Sequence, residues 1–250
     1  MDSAPGVMAV WNDLLPGHER EFEAWYQRQH VPERLQVPGF REARRYVAVA
    51  GSPRYCAFYW LDSVDVLGSP AYLERLSHPT RWTRRMMPWF RAMGRTPCTV
   101  ALERGCGVGG AMSWIAMVGD TADSPPAQAI RDAFDRCLQS PELVRMQLWQ
   151  CAPWLLELGN PEQGLRTTRD QVARWIVFIE ATAEQAVQTQ SGAIFDAIAR
   201  TVEPGSLVRA PAYRLLWSLR ADEAPLPCAD DALLASERHA KVSSKRRPAS

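Results

Sequence analysis

One order of secondary-structure signals occurs twice in this chain, and that repeat constrains its fold more than any single motif does. Met8 to Asp13 (MAVWND) reads as a strand, broken by Pro16-Gly17. From His18 to His30, the residues Phe22, Trp25, Tyr26 and His30 fall on one face of an amphipathic helix, which Pro32 is expected to end or bend. Arg41 to Val49 and Tyr55 to Leu61, parted by the turn Gly51-Ser52-Pro53, read as a hairpin. Ser63 to Leu76 carries a broken helical pattern, Thr80 offers an N-cap for a helix running to about Met93, and Pro97 to Glu103 reads as a fourth strand. This is the split βαβ order of a ferredoxin-like unit. After the glycine-rich run Gly105 to Gly110 the order returns. Its strands are Met112 to Val118, Leu143 to Cys151, Val172 to Ala181 and Ser206 to Leu219, and its helices Ala127 to Leu138 and Glu184 to Arg200. Arg54-Tyr55 and Phe58 recur as Arg174-Trp175 and Phe178, 120 positions later.

A four-stranded sheet with helices on one face leaves its other face bare, and two such sheets can cover each other. The expected fold is therefore α+β, with two ferredoxin-like βαββαβ units forming an intramolecular α+β barrel, a pseudo-dimer on one chain. Residues 1–104 make the first unit, where the active site is expected, and 105–111 the glycine-rich linker. Residues 112–220 make the second, degenerate unit, and 221–250, ending in KVSSKRRPAS, are expected to be a disordered tail.

Composition narrows the partners. With 29 Lys and Arg against 28 Asp and Glu, the formal charge is +1, and no whole-molecule field exists to gather nucleic acid or a membrane surface. The apolar runs are strand-sized, far below the length of a spanning helix, and the amino terminus carries no signal-peptide pattern, so a cytoplasmic protein is expected. The six cysteines are scattered without CxxC spacing, and the four histidines include no HxxxH, which leaves no metal site expected and the thiols reduced. There is no GxGxxG, GxxxxGK[ST] or GxSxG. The partner expected is a small molecule, bound by a monomeric pseudo-dimer or a homodimer.

The chemistry-bearing residues cluster in the first unit. His30 sits on the aromatic helix face, and an imidazole suits proton transfer at neutral pH; a histidine favoured by the helix dipole is the structural alternative. Period 2 puts Arg45 with Ala43 and Val47 on one strand face, and Arg44 with Tyr46 and Ala48 on the other. At least one guanidinium must then be buried against an anion, either a substrate carboxylate or a protein carboxylate such as Glu42 or Asp62. Asn12, in a half-buried strand, could donate to an enolate or be solvated at the strand end. Tyr46 and Tyr59 can present hydroxyls or simply pack, and Trp11, Trp25 and Trp82 can line an apolar pocket or fill the core. His78 precedes Pro79-Thr80 in a loop, while His18 and His239 look solvent-facing.

The stretch EFEAWYQRQHVPERLQVPGFREARRY, residues 21–46, resembles the dimeric α+β barrel superfamily, particularly its EthD-like branch in tandem-fused form. In that group WY, a helix-end His followed by Pro, PGF and ARRY recur in this order; PRYCAFYW (53–60) and HPTRWTRRM (78–86) are similar to it as well. The resemblance covers about the first hundred residues, and the second unit only in element order. It implies a cofactor-independent enzyme, an isomerase (cis-trans or tautomerising) of a small anionic dienoic or enolisable acid in bacterial catabolism of lignin-derived aromatics, with lyase or cyclase chemistry also within the fold's range. His30 would move the proton, Tyr46 or Tyr59 with Asn12 would stabilise the enolate, and Arg44 or Arg45 would hold the carboxylate. Trp11, Trp25, His78 and Trp82 complete the expected binding set, with no cofactor. Two other readings stay open: a haem-binding dehydratase or degrading enzyme with His30 or His78 as axial ligand, and a non-catalytic small-ligand-binding protein. Asp135 to Pro141 lacks a histidine and the second unit lacks ARRY, so one working cavity per chain is expected.

Overall fold

Both sheets are antiparallel throughout, and their edges meet. The computed structural model describes residues 4–118, 127–159, 161–166 and 170–228. The strands are β1 (Gly6–Leu14), β2 (Phe40–Ala48), β3 (Tyr55–Leu61), β4 (Phe90–Gly105), β5 (Ala111–Met117), β6 (Leu143–Cys151), β7 (Trp175–Ala181), β8 (Leu207–Arg209) and β9 (Tyr213–Arg220). The first half runs β4-β1-β3-β2, the second β9-β5-β7-β6, and the pairs β2–β9 and β4–β6 join them into a closed barrel. β8 and β9 pair with successive parts of β5, so together they are one barrel strand, interrupted at 210–212. Pro211 lies in that gap and has no N–H to give to a ladder. The two ferredoxin-like units thus form the intramolecular α+β barrel that the repeated order predicts. β3 and β7 hold the repeated residues at the same positions, and Phe58 and Phe178 meet edge to face inside the barrel at 5.7 Å.

Alternation along the strands separates two layers. Val7, Ala9, Trp11, Phe58, Trp60, Trp114, Trp149 and Phe178 fill the barrel interior. Trp149 stacks on Phe178 at 4.8 Å, and the Gln147 side-chain oxygen accepts from the indoles of both Trp60 and Trp149. These side chains pack the interior, and Trp60 and Gln147 also border an open pocket of about 670 Å³ with Glu42, Arg145 and Arg220. The opposite face of each half is covered by helices. On the first half these are α1 (Glu19–Trp25), α2 (Val31–Leu35), α3 (Pro70–Ser77) and α4 (Arg81–Met86); on the second they are α5 (Ala127–Cys137) and α7 (Glu184–Ala199). Helix α6 (Trp154–Glu157) and a 3₁₀ turn, Pro161–Leu165, bridge β6 to β7.

Gly94 shows how tight the interior is. A Cβ there would lie 1.9 Å from the Trp11 indole, which is itself packed on Trp114 at 4.6 Å. Gly94→Ala is expected to cost about 1–3 kcal/mol by overpacking, read as a lower urea midpoint. An unchanged midpoint would mean that Trp11 is free to move.

Several boundaries differ from the sequence expectation. Pro32, expected to end or bend the first helix, is the second residue of α2, which follows α1 through a π turn, Tyr26–His30. The second helix stops at Met86, and β4 begins at Phe90 instead of Pro97, because Pro88 breaks the helical run and Ala92 takes φ 44° at the bulge between Trp11 and Asp13. The tail expected from 221 is placed as far as Cys228, whose N–H donates to the Arg28 carbonyl. That carbonyl is the one Pro32, four residues on, cannot serve. The remainder of the expected tail, 229–250, lies outside the described residues.

Candidate active site

Four buried polar atoms without partners converge on one cavity. They are His30 Nδ1, Arg34 Nη1, Tyr59 OH and Arg166 Nε. Buried polar groups are hydrogen-bonded as a rule, so four unpartnered atoms around one space mark it as fit for a polar guest, water included. The cavity lies between the helix-facing side of the first sheet (Met8, Val10, Tyr59), the first helix and the Pro161–Leu165 turn of the second half. It measures about 40 Å³, room for two or three waters by the usual one-probe requirement.

The helix builds its share through the π turn. Val31 N–H reaches back five residues to the Tyr26 carbonyl, which widens the turn and brings residues four apart onto one line. Phe22, Tyr26, His30 and Arg34 therefore share a face, and the last three line the cavity. His30 lies flat on Trp25, ring centroids 4.2 Å apart, and edge-on to Tyr26. Trp25 is held in turn by its indole N–H, which donates to Thr83 Oγ1 at 3.3 Å.

The charge balance favours an anion. Arg34, Arg95 and Arg166 line the cavity against Glu162. Arg34 Nη2 donates to Glu162 Oε1 at 2.5 Å, Arg166 Nη2 to both Asp170 oxygens, and Arg95 Nη2 to the Tyr72 hydroxyl at 3.2 Å. One nitrogen each of Arg34 (Nη1) and Arg166 (Nε) is left without a partner and can donate to a carboxylate. Burial pushes Asp170 above the usual carboxylate range and pulls Arg166 below its own, although Asp170 opposes the latter.

Burial, with the guanidinium groups of Arg34 and then Arg45 adding to it, holds His30 well below 6.5, so its imidazole is neutral at pH 7. Burial raises Tyr59 well above 10 and Tyr26 to about 12, which keeps both as O–H donors. The His30 shift has a consequence for stability. The unfolded chain takes up this proton near pH 6.5, the folded protein only well below it. Between the two, the unfolded state holds more protons, so stability is full above pH 6.5 and falls as pH drops, by up to ~1.4 kcal/mol per pH unit from this group. His30→Gln should flatten the urea-midpoint profile below pH 6.5; the same slope as wild type would contradict a buried neutral imidazole.

The other expected site residues fall elsewhere, apart from Trp25 and Tyr59, which join His30. Arg44 and Tyr46 face the barrel interior, where Arg44 donates to Glu180 and Glu42, and Tyr46 OH donates to Glu180 Oε1 at 3.0 Å. Arg45 is on the helix side but behind Tyr26: its guanidinium lies 3.5 Å from that ring centroid and pairs with Glu23. Asp62, expected as an arginine partner, pairs with Arg41 instead. Trp11 is interior core, and Trp82 is core on α4 itself. Asn12 donates to the Asp13 carbonyl away from the cavity, and His78 is 72% exposed beside Glu74. Arg34, Arg95, Glu162 and Arg166 were not anticipated. Arg34 was visible as the fourth residue after His30, had the helix been continued past Pro32. The 153–166 segment carries no periodic signal that would have placed Glu162 or Arg166.

A haem fits poorly here. His78 is exposed beside Glu74 and does not line the cavity, and a porphyrin far exceeds a 40 Å³ space walled by Trp25, Tyr26, Tyr72 and Phe90. Met87 and Met93 are the flexible side chains in the cavity wall, and an organic acid larger than a few waters needs them to move. Among the described residues no cluster of His, Cys, Asp or Glu could hold a metal ion, and no helix is long and apolar enough to cross a membrane. In the second half, the helix-facing layer is apolar, built from Ile115, Ile130, Phe134, Val177, Ile194 and Ile198.

No protein-family model matches the chain, and no curated protein matches it significantly. Solved structures do. An anthrone oxidase-like protein superposes with TM-score 0.57 at 12% identity, covering 91% of this chain and 97% of that one. A candidate monooxygenase from Fusobacterium nucleatum gives 0.56 at 9%, covering 92% and 100%, and a candidate chlorite dismutase gives 0.50 at 11%, covering 86% and 96%. At these identities the likeness is one of fold, the ferredoxin-like α+β barrel.

Proposed function

We propose that this chain is a cofactor-independent enzyme that moves a proton on a small anionic, enolisable acid bound in the His30 cavity. The observation that carries the reading is the convergence of His30 Nδ1, Tyr59 OH, Arg34 Nη1 and Arg166 Nε, all buried and unpartnered, on one net-cationic space. The acid's carboxylate accepts from Arg34 Nη1 and Arg166 Nε. A C–H proton α or γ to that group passes to the neutral His30 imidazole, and the electron pair moves into an enolate whose oxygen accepts from Tyr59 OH. Return of the proton to another carbon completes a tautomerisation; rotation about the transiently single C–C bond before its return gives cis-trans isomerisation.

Burial is the first cause of the His30 depression and Arg34 the second, and a carboxylate bound to Arg34 offsets the second. The likeness of residues 21–46 to the EthD-like branch supports the assignment of His30. Two structural neighbours named for oxidation suggest a second outcome of the same first step, in which the carbanion passes an electron to dioxygen and the two recombine as a carbon-bound peroxide. Oxygen consumption with the substrate separates the two outcomes.

The reading is tested by a thermal-shift screen of aromatic, dienoic and other enolisable acids, with haemin included. An acid at 100 times its dissociation constant should add roughly 2.7 kcal/mol. Arg166→Met should remove that shift while the unliganded protein still unfolds cooperatively. A Soret band and stabilisation with haemin alone, and none with any acid, would overturn the proposal.

A further inference from the structure

We propose that Cys98 and Cys151 form a peroxide-sensitive dithiol pair that closes to a reversible disulfide across the seam between the two halves of the barrel. The two residues are direct partners in the β4–β6 ladder, and residues opposed in an antiparallel pair project to the same side. They occupy the close kind of position. Ala152 N–H donates to the Pro97 carbonyl on the neighbouring pair, and Cys151 N–H turns away to the Arg174 carbonyl beside β7. Cys98 and Cys151 are therefore a non-hydrogen-bonded pair, whose Cα atoms stand about 4.5 Å apart. That spacing is at the short end of the roughly 4.4–6.8 Å a disulfide spans. No other two of the six cysteines are ladder partners.

The two sulfurs differ in access. Cys98 is fully buried, whereas Cys151 is half-buried and lines an open pocket of about 320 Å³ with Pro153, Leu156, Arg174 and Trp175. Cys151 therefore reacts first. Its thiolate attacks one peroxide oxygen, the O–O bond breaks, and a sulfenic acid and water are left. The Cys98 sulfur then attacks that sulfenic sulfur, expelling a second water, so that two thiols and one hydrogen peroxide give one disulfide and two waters. Burial raises the Cys151 thiol to about 11 even though Arg174 opposes it, so the first step is slow at neutral pH and speeds up with the thiolate fraction. The bond would fix the strand that carries Met93 and Arg95 into the cavity to the opposite half.

The experiment is hydrogen peroxide treatment of the folded full-length chain, followed by thiol counting in denaturant and tryptic mass spectrometry without reductant. The expected result is loss of two of six thiols and a linked species of peptides 96–104 and 146–166, lighter by two hydrogens than their sum, which dithiothreitol releases. Its rate should rise about tenfold per pH unit between roughly pH 7 and 9. Cys151→Ser should abolish the link, and Cys98→Ser should leave Cys151 as an oxyacid. Oxidation confined to the exposed Cys106, or a link that forms only after unfolding in urea, would overturn the proposal.

Discussion

His30→Gln is expected to lower kcat/KM for the acid that the protein binds by about 10²–10⁴-fold, the range that a positioned general base contributes. Glutamine keeps a polar side chain near the Arg34 and Tyr59 orphans but cannot take a proton at neutral pH. Binding should survive within a few fold, because the carboxylate is held by Arg34 and Arg166 and not by the imidazole. The loss should therefore sit in kcat, with KM little changed. For wild type, kcat should rise with pH through the ionisation of bound His30, which the substrate's carboxylate shifts upward from its depressed free value. A variant that loses affinity and keeps kcat would make His30 a binding residue and remove it from the proton path.

Glu180→Ala carries the largest expected effect on stability. Glu180 is fully buried in the barrel interior, accepts two hydrogen bonds from Arg44 Nη1 and one from Tyr46, and leaves Arg44 only Glu42 when removed. Breaking a buried pair on one side costs about 3–5 kcal/mol, because the surviving charge has no solvent to return to. Replacing both partners, Arg44→Met with Glu180→Met, should recover much of that loss, since apolar residues of similar volume often substitute for a buried ion pair without cost. Neither change should alter the KM of the acid, because Arg44 faces away from the His30 cavity, across the sheet. A raised KM in Glu180→Ala at full folding would instead bring Arg44 into substrate binding.

The strand-level pattern could be read from the residues because period 2 has few competitors. It put Arg45 with Ala43 and Val47, and Arg44 with Tyr46, on the faces where they lie, and β3 and β6 have the expected limits. Burial of both arginines was half foreseen, since either face of such a sheet is covered, by helices or by the other half. The helix ends were harder. Pro32 reads as a stop or a bend, yet the helical run continues through a π turn and Cys228 satisfies the carbonyl that Pro32 leaves bare, which no local signal announces. Met86, Met87, Phe90 and Met93 have helical spacing, but the last two belong to a strand because Pro88 comes between. Half of the cavity's charge arrives from Glu162 and Arg166, more than a hundred residues from His30 in sequence, on a single turn too short for periodicity to mark. Of the tryptophans read as pocket lining or core, Trp11 is barrel interior and Trp82 is core on the helix side. Trp11, Trp60, Trp114 and Trp149 pack together inside, and only Trp25 reaches the cavity.

The most direct test of proton transfer at His30 is to incubate the protein in D₂O with an acid that stabilises it, and to follow the acid's C–H signals by NMR. Wild type should exchange an α or γ proton for deuterium, with or without net isomerisation, and His30→Gln should slow that exchange about 100-fold or more while still binding the acid. Exchange at the wild-type rate in His30→Gln, or a tightly bound acid whose C–H signals never change in wild type, would contradict the account.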